Sequence, residues 1–282
     1  MAHRLIDGGH ELFVFTSNTD SLASLTERGA TAVGSVAEAA DRVELFCSCR
    51  VTPQQSRDVF LGSDGVTSAS RPAPICVDFA TIDPTTSREI GLTLLETGVD
   101  YLDAPISGGP DRAEDGTLTI IVGGETAAVA RAKPLFEAFG KKTLHMGGTG
   151  TGVTTKLCNN MISITTHALV AEAMVLGVKS GIDARALYEA LNNSSAHSQT
   201  LERVVPRHFL RRDFRPAATI ETIMKDLNGA IALAREQGVR LLLPNVAMQC
   251  FVEAADMGHA QSDIASVILP MEEIAGVTVG PA

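Results

Sequence analysis

The chain carries little that marks a secreted, metal-dependent or nucleic-acid-binding protein. Its five cysteines, Cys47, Cys49, Cys76, Cys158 and Cys250, are odd in number and dispersed. That pattern suits reduced thiols in a cytoplasmic protein better than a disulfide framework. Cys47-Ser48-Cys49 lacks the two-residue gap of a metal or redox pair, and no second Cys/His pair stands at ligand spacing. None of the seven histidines falls in an HExxH pattern. Positive charge is also scarce: 23 Lys and Arg face 33 Asp and Glu, for a formal net charge of -10, which opposes attraction to phosphate backbones and anionic membranes. With aromatics at 4%, there is no basic, aromatic-rich patch for nucleic acid. No basic leader precedes an apolar run, and no stretch reads as transmembrane in length. The expectation is a cytoplasmic protein without metal, nucleic acid or membrane partners.

A further absence concerns the order of elements. MAHRLIDGGHELFVF reads as a helix, a Gly-Gly turn and a strand, whereas a nucleotide-binding α/β half opens with a strand running into a glycine-rich turn. Met1 already lies inside that helix. The first domain is therefore expected to lack its first strand and GxGxxG loop, and to bind a dinucleotide poorly for want of close backbone donors.

What remains has a regular organisation. From Glu11 to Val122, β-rich runs alternate with helical runs, the pattern of a sheet covered on both faces. Strands are expected at Leu12 to Phe15, Val43 to Cys47, Ile75 to Phe79, Val99 to Leu102, Leu118 to Val122 and Lys142 to His145. Helices are expected at Asp20 to Arg28, Pro53 to Phe60 behind a Thr52 cap, Pro84 to Thr97 and Glu125 to Phe139. Beyond Gly147 to Gly152 the apolar spacing becomes helical. Helices are predicted at Val153 to Ser180, Asp183 to Leu191, Ile220 to Gln237, Asn245 to Met257 and Ser262 to Met271. The domains divide as 1–149, α/β and incomplete at its N-terminus, and 150–282, mostly α-helical.

Four segments carry candidate chemistry. Lys156 and Asn160 are one helical turn apart, so they share a face, expected at the domain junction and continued by Ser163 and His167. The same spacing also suits a polar stripe with Lys156 solvated and Asn160 bonded to a loop. Asp103 to Pro110 follows a strand, where α/β sheets place ligand loops; Ser107, Gly108 and Gly109 offer a hydroxyl and unobstructed N–H groups to a carboxylate, or form a tight turn. Thr81 follows a strand end, placed to meet a cofactor amide or to cap the next helix. Ser17 and Asn18 follow the strand where a dinucleotide domain discriminates its ribose, yet neither an acid nor an arginine stands at Thr16 or Ser17. Lys225-Asp226 reads as near a helix start, as an ion pair or a helix-start carboxylate.

In order and at these separations, DAPISGG (Asp103 to Gly109), GTLTIIVGG (Gly116 to Gly124), KLCNN (Lys156 to Asn160) and KDL (Lys225 to Leu227) resemble the β-hydroxyacid dehydrogenase family, over nearly the whole chain. The resemblance implies an N-terminal Rossmann domain and a helical domain, assembled as homodimers or homotetramers. It implies Lys156 as general acid/base and Asn160 as its support. Ser107, Gly108, Gly109 and Lys225 become substrate contacts, Thr81 a nicotinamide contact, and Asp226 a support for helix-start geometry. Against that pattern, Ala80 stands where serine is usual, Thr16-Ser17 where many members have Asn-Arg, and Cys47 to Arg50 where Met-Leu-Pro is common. The cofactor is NAD or NADP, with NAD slightly favoured.

The expected reaction is hydride transfer between nicotinamide and the carbinol carbon of a small 3-hydroxy acid or its semialdehyde. Lysine titrates near ~10.4, so such a base needs a depressed pKa or a minor neutral population. The alternatives are an imine or keto-acid reductase of the same superfamily, or a catalytically impaired scaffold.

Overall fold

In the computed structural model, which describes residues 1–280, the chain divides into two compact units, Met1–Lys156 and Leu157–Ala282. The first unit contains α1 (Ala2–Asp7), β1 (Phe13–Val14), α2 (Thr19–Thr26), β2 (Thr31–Ala32), α3 (Val36–Asp41), β3 (Leu45–Ser48), α4 (Pro53–Leu61), β4 (Ile75–Asp78) and α5 (Pro84–Glu96). It continues through β5 (Asp100–Asp103), β6 (Ile106–Ser107), α6 (Gly109–Asp115), β7 (Leu118–Val122), α7 (Thr126–Phe139) and β8 (Gly140–His145).

The strands form three sheets. β1 and β2 pair in parallel, β3-β4-β5 form a parallel sheet, and β6-β7-β8 combine one antiparallel and one parallel pairing. β1 and β3 are not hydrogen-bonded to one another among the described residues, so each keeps an unpaired edge.

Alternation along β4 explains why this region is double-faced. Ile75, Val77 and Phe79 enter one core with Leu102, Phe136 and Phe139. Cys76 and Ala80 enter the other with Phe60, Ile90 and Tyr101. A period of two sends successive side chains to opposite faces, and helices then cover both. Aromatic edges lock each layer: Phe60 meets Tyr101 at 5.4 Å, and Phe79 meets Phe139 at 5.5 Å. Local capping agrees with the sequence at α4, where Thr52 and Gln55 form a capping box ahead of Pro53.

α8 (Thr151–Lys179) begins in the first unit and continues into the second. The second unit adds α9 (Ala184–Asn192), α10 (Gln199–Val204) with a following π turn, α11 (Ile220–Glu236), α12 (Leu243–Ala254) and α13 (Ile268–Ala275). Its core gathers Met174, Val205, Phe209, Phe251 and Ile268. The helix expected over Ser262 to Met271 is instead a 3-10 turn at Ile264–Val267 leading into α13, because Asp263 caps the turn and resets the start.

One expectation needs correction here. Among the described residues, α8 is the one helix long and apolar enough to cross a membrane by length and composition, and 39% of its most apolar stretch is buried. Asn159, Asn160 and His167 break the apolar run in sequence, yet the helix passes through them without interruption. A core helix satisfies the same criterion.

Candidate functional site

In the first unit, β6 delivers Ser107 half-buried to the start of α6. Gly108 follows at φ 143°, and a Cβ there would lie 2.7 Å from Arg112 Cδ and 2.8 Å from Arg112 Cβ. Only glycine satisfies both the backbone angle and the contact, so the close turn after Ser107 depends on it. Gly109 also takes a positive φ of 75° but meets nothing.

Lys156 is the last residue of this unit, on the second turn of α8, and is 9% exposed. That excludes the solvated-lysine alternative. Thr81 is half-buried beyond the end of β4. It is not the cap of α5, because Asp83 accepts the Thr86 N–H at 2.8 Å and performs that task.

Thr16 to Asn18 follow β1. The Thr16 hydroxyl accepts the Asn18 N–H, and the Asn18 side chain caps α2 by accepting the Ser21 N–H at 2.8 Å. Asn18 therefore has its carbonyl oxygen committed to the helix, while Ser17 is exposed. Phe15 and Val51 expose apolar surface just beyond β1 and β3. These exposed apolar side chains and the Ser17 hydroxyl are of the kind that fit a nicotinamide dinucleotide at the C-terminal ends of parallel strands.

Cys47 keeps surface on the open edge of β3, yet surrounding protein atoms crowd its sulfur and push the thiol up to about 12. Such a thiol stays protonated and unreactive near neutral pH. Among the described residues, no three His, Cys, Asp or Glu side chains gather as a metal site.

In the second unit, Asn160 donates from Nδ2 to Asp226 Oδ2 at 2.7 Å and accepts from Asn159 Nδ2 at 3.1 Å. Asp226 also pairs with Lys225, whose Nζ is 2.7 Å from Oδ1. This corrects two expectations. Asn160 is held by a helix rather than a loop, and Asp226 lies in the second turn of α11, whose start is capped by Thr219. Its carboxylate orients the Asn160 amide instead of supporting a helix start. Sequence spacing offered no signal for that, since 66 residues separate the partners. Ser163 accepts at its carbonyl from the His167 ring at 2.8 Å, and burial lowers the His167 pKa. The His167 ring thus finds its partner within its own helix.

Residues 1–148 match the family described as the NAD binding domain of 6-phosphogluconate dehydrogenase. Residues 150–271 match the NAD-binding domain of NADP-dependent 3-hydroxyisobutyrate dehydrogenase. The chain is 36% identical over 279 residues to the 2-hydroxy-3-oxopropionate reductase of Escherichia coli (strain K12), covering 98% of this chain and 94% of that protein. It is 35% identical over 272 residues to the probable mitochondrial 3-hydroxyisobutyrate dehydrogenase of Dictyostelium discoideum, covering 94% and 85%. Among solved structures, the Mycobacterium tuberculosis 3-hydroxyisobutyrate dehydrogenase with L-serine is similar, with a TM-score of 0.87, 28% identity and coverage of 96% and 94%. The double-faced sheet, the helical second unit and these matches agree, and the chain belongs to the NAD-binding β-hydroxyacid dehydrogenase family, NAD(P)-dependent oxidoreductases of small hydroxy-acid and keto substrates.

Proposed function

We propose that the protein interconverts a small 3-hydroxy acid and its semialdehyde, with Lys156 as general acid/base. The observation that carries this reading is a buried lysine on α8, in the same unit as the glycine turn after Ser107. A bound nicotinamide supplies the hydride chemistry. The protein's own groups handle the proton and the charge. In oxidation, neutral Lys156 takes the hydroxyl proton as hydride leaves the carbinol carbon; in reduction, the ammonium returns a proton to the developing alkoxide. Asn160, held by Asp226, orients the lysine and the reacting oxygen from one turn further along α8. Lysine at this position favours an alcohol/carbonyl relay over imine reduction.

Ser107, Gly108 and Gly109 hold the substrate carboxylate, Lys225 is a further substrate contact, and Thr81 meets the nicotinamide. The absence of a cation over Thr16 to Thr19 leaves a 2′-phosphate without a partner there, so NAD is slightly favoured over NADP. Five free thiols support a cytoplasmic location.

Removing the Ser107 hydroxyl tests the carboxylate assignment. Loss of one charged hydrogen bond is worth roughly 1.5 to 3 kcal/mol. Ser107→Ala therefore raises KM for a 3-hydroxy acid by about tenfold or more and leaves its uncharged alcohol analogue nearly unchanged. Equal losses with both substrates would reject the assignment.

Assembly into homodimers or homotetramers is supported by α8, where Ile162, Leu169 and Leu176 recur every seven residues and are 65%, 62% and 70% exposed. Such a seam on one helix face is an apolar surface suited to a second copy. Leu169→Glu with Leu176→Glu is expected to shift the sedimenting species to monomer. An unchanged sedimentation coefficient would place assembly elsewhere.

A further inference from the structure

Asp103 is the first residue of the DAPISGG segment, and the mechanism above assigns it nothing. It is fully buried at the end of β5. Its Oδ1 accepts the Gly150 N–H at 2.7 Å and its Oδ2 accepts the Val153 N–H at 2.8 Å. Those donors lie on either side of the first residues of α8, whose unsatisfied N–H groups and positive dipole end attract a carboxylate. Close packing reinforces the contact: a Cβ on Gly152 would lie 2.5 Å from the Asp103 carbonyl oxygen and 2.7 Å from the Gly123 nitrogen. Asp103 and Gly123 also exchange backbone hydrogen bonds, at 3.1 and 2.8 Å. One carboxylate therefore ties the helix bearing Lys156 to the strand that leads into Ser107.

We propose that Asp103 is a positioning residue, which holds the first turn of α8 so that Lys156 stands in register with the Ser107 to Gly109 loop. The proposal rests on the catalytic reading of Lys156 and Ser107 given above. A helix tethered at both edges of its first turn presents residue 156, one turn later, in a single orientation. An untethered turn frays and spreads that orientation over several, which lowers turnover more than substrate affinity.

The clamp is under electrostatic load. Burial pushes the Asp103 carboxyl up to about 6, while the Gly150 and Val153 N–H groups pull it down. The groups facing it are Tyr101 of its own strand, Asp78 in register beside it on β4, and Arg88 of α5, which packs against Gly150. Because the folded carboxyl titrates above its ordinary value, its contribution to stability is full below pH 3.8 and is lost as pH rises through about 6. The charged clamp at neutral pH thus costs stability, as expected of a group retained for function.

The test combines Asp103→Asn with Asp103→Ser, and has readouts with and without turnover. Asp103→Asn is expected to lower kcat about tenfold or more, to keep KM within about threefold, and to keep the melting temperature within about 5 °C of wild type. An acid limb near pH 6 is expected in the wild-type kcat profile, to disappear in this variant and to persist in Asp78→Asn. Independently of activity, amide exchange at Gly150 and Val153 accelerates at least about tenfold in both Asp103 variants. In wild-type protein labelled with 13Cε-lysine, the Lys156 resonance shifts as pH passes through 6, and this shift is absent in Asp103→Asn. A kcat loss matched by a large fall in melting temperature would make Asp103 merely structural. An unmoved Lys156 resonance, or unchanged exchange at both amides, would overturn the clamp. Absence of turnover in the wild type would reject the catalytic reading alone, because the exchange and lysine measurements still read the tether.

Discussion

Replacing Lys156 with alanine or with arginine is expected to lower turnover by about a hundredfold to ten-thousandfold, the range for loss of a positioned general acid/base. The pair of variants separates chemistry from charge. Alanine removes both, whereas arginine keeps a cation on a similar stem but does not give up its proton near neutral pH. Lys156 is buried beside Val153 and Leu157, so alanine also leaves a small void, and arginine controls for that by filling it. Dissociation constants for the dinucleotide, measured by fluorescence titration, should stay within about threefold of wild type in both, since the lysine acts on substrate oxygen. Near-full turnover in both variants would remove Lys156 from the mechanism. Asn160→Ala should fall between them and wild type, because it disturbs orientation and leaves the proton carrier in place.

The largest effect on stability is expected at Glu272, in the second unit. Its carboxylate accepts from Arg212 at 2.7 and 2.8 Å and from the Val279 N–H at 2.6 Å, while Arg212 also donates to the Val279 carbonyl at 3.3 Å. Glu272 is 4% exposed. Arg212 is the only non-glycine residue with positive φ among the described residues, at 55°, and its guanidinium stacks 5.1 Å from the Phe214 ring centroid. One carboxylate therefore holds a strained arginine and the segment reaching fully buried Val279.

Breaking a buried pair from one side costs about 3 to 5 kcal/mol, and the partial exposure of Arg212 places Glu272→Ala near the lower end. That corresponds to a drop of about 6 to 12 °C in melting temperature. Arg215→Ala removes an ion pair with Asp213 on a side chain that is 89% exposed, and the midpoint should not move. Thermal and denaturant melts of both variants decide the matter. Equal midpoints for Glu272→Ala and wild type would show that the C-terminal segment is held by apolar packing alone.

Much of this molecule is legible along the chain because the signals are local. The β-rich run over Ile75 to Phe79, the Thr52-Pro53 start of α4 and the helical spacing from Val153 each depend on neighbours within a turn or two. The residue pattern over Asp103 to Gly109, Lys156 to Asn160 and Lys225 to Leu227 was enough to suggest the family and its chemistry. The two-residue strands β2 and β6 were not legible, since a pair of residues has no period and takes its conformation from the strand beside it. Nor were α3 and α6, helices of 6 and 7 residues that are too short to be stable apart from their surroundings.

The sequence by itself determined the two-part architecture, the family and the residue types available for proton transfer and carboxylate binding. Tertiary structure alone decided which of those residues are buried and what restrains them. Local spacing allows Lys156 to be a solvated residue of a polar stripe, and only the fold buries it. Asp226 holds Asn160 across 66 residues, and Asp103 holds the Gly150 and Val153 amides across 47 and 50. Such contacts are set by how strands and helices pack, and no local periodicity encodes which carboxylate will meet which distant donor.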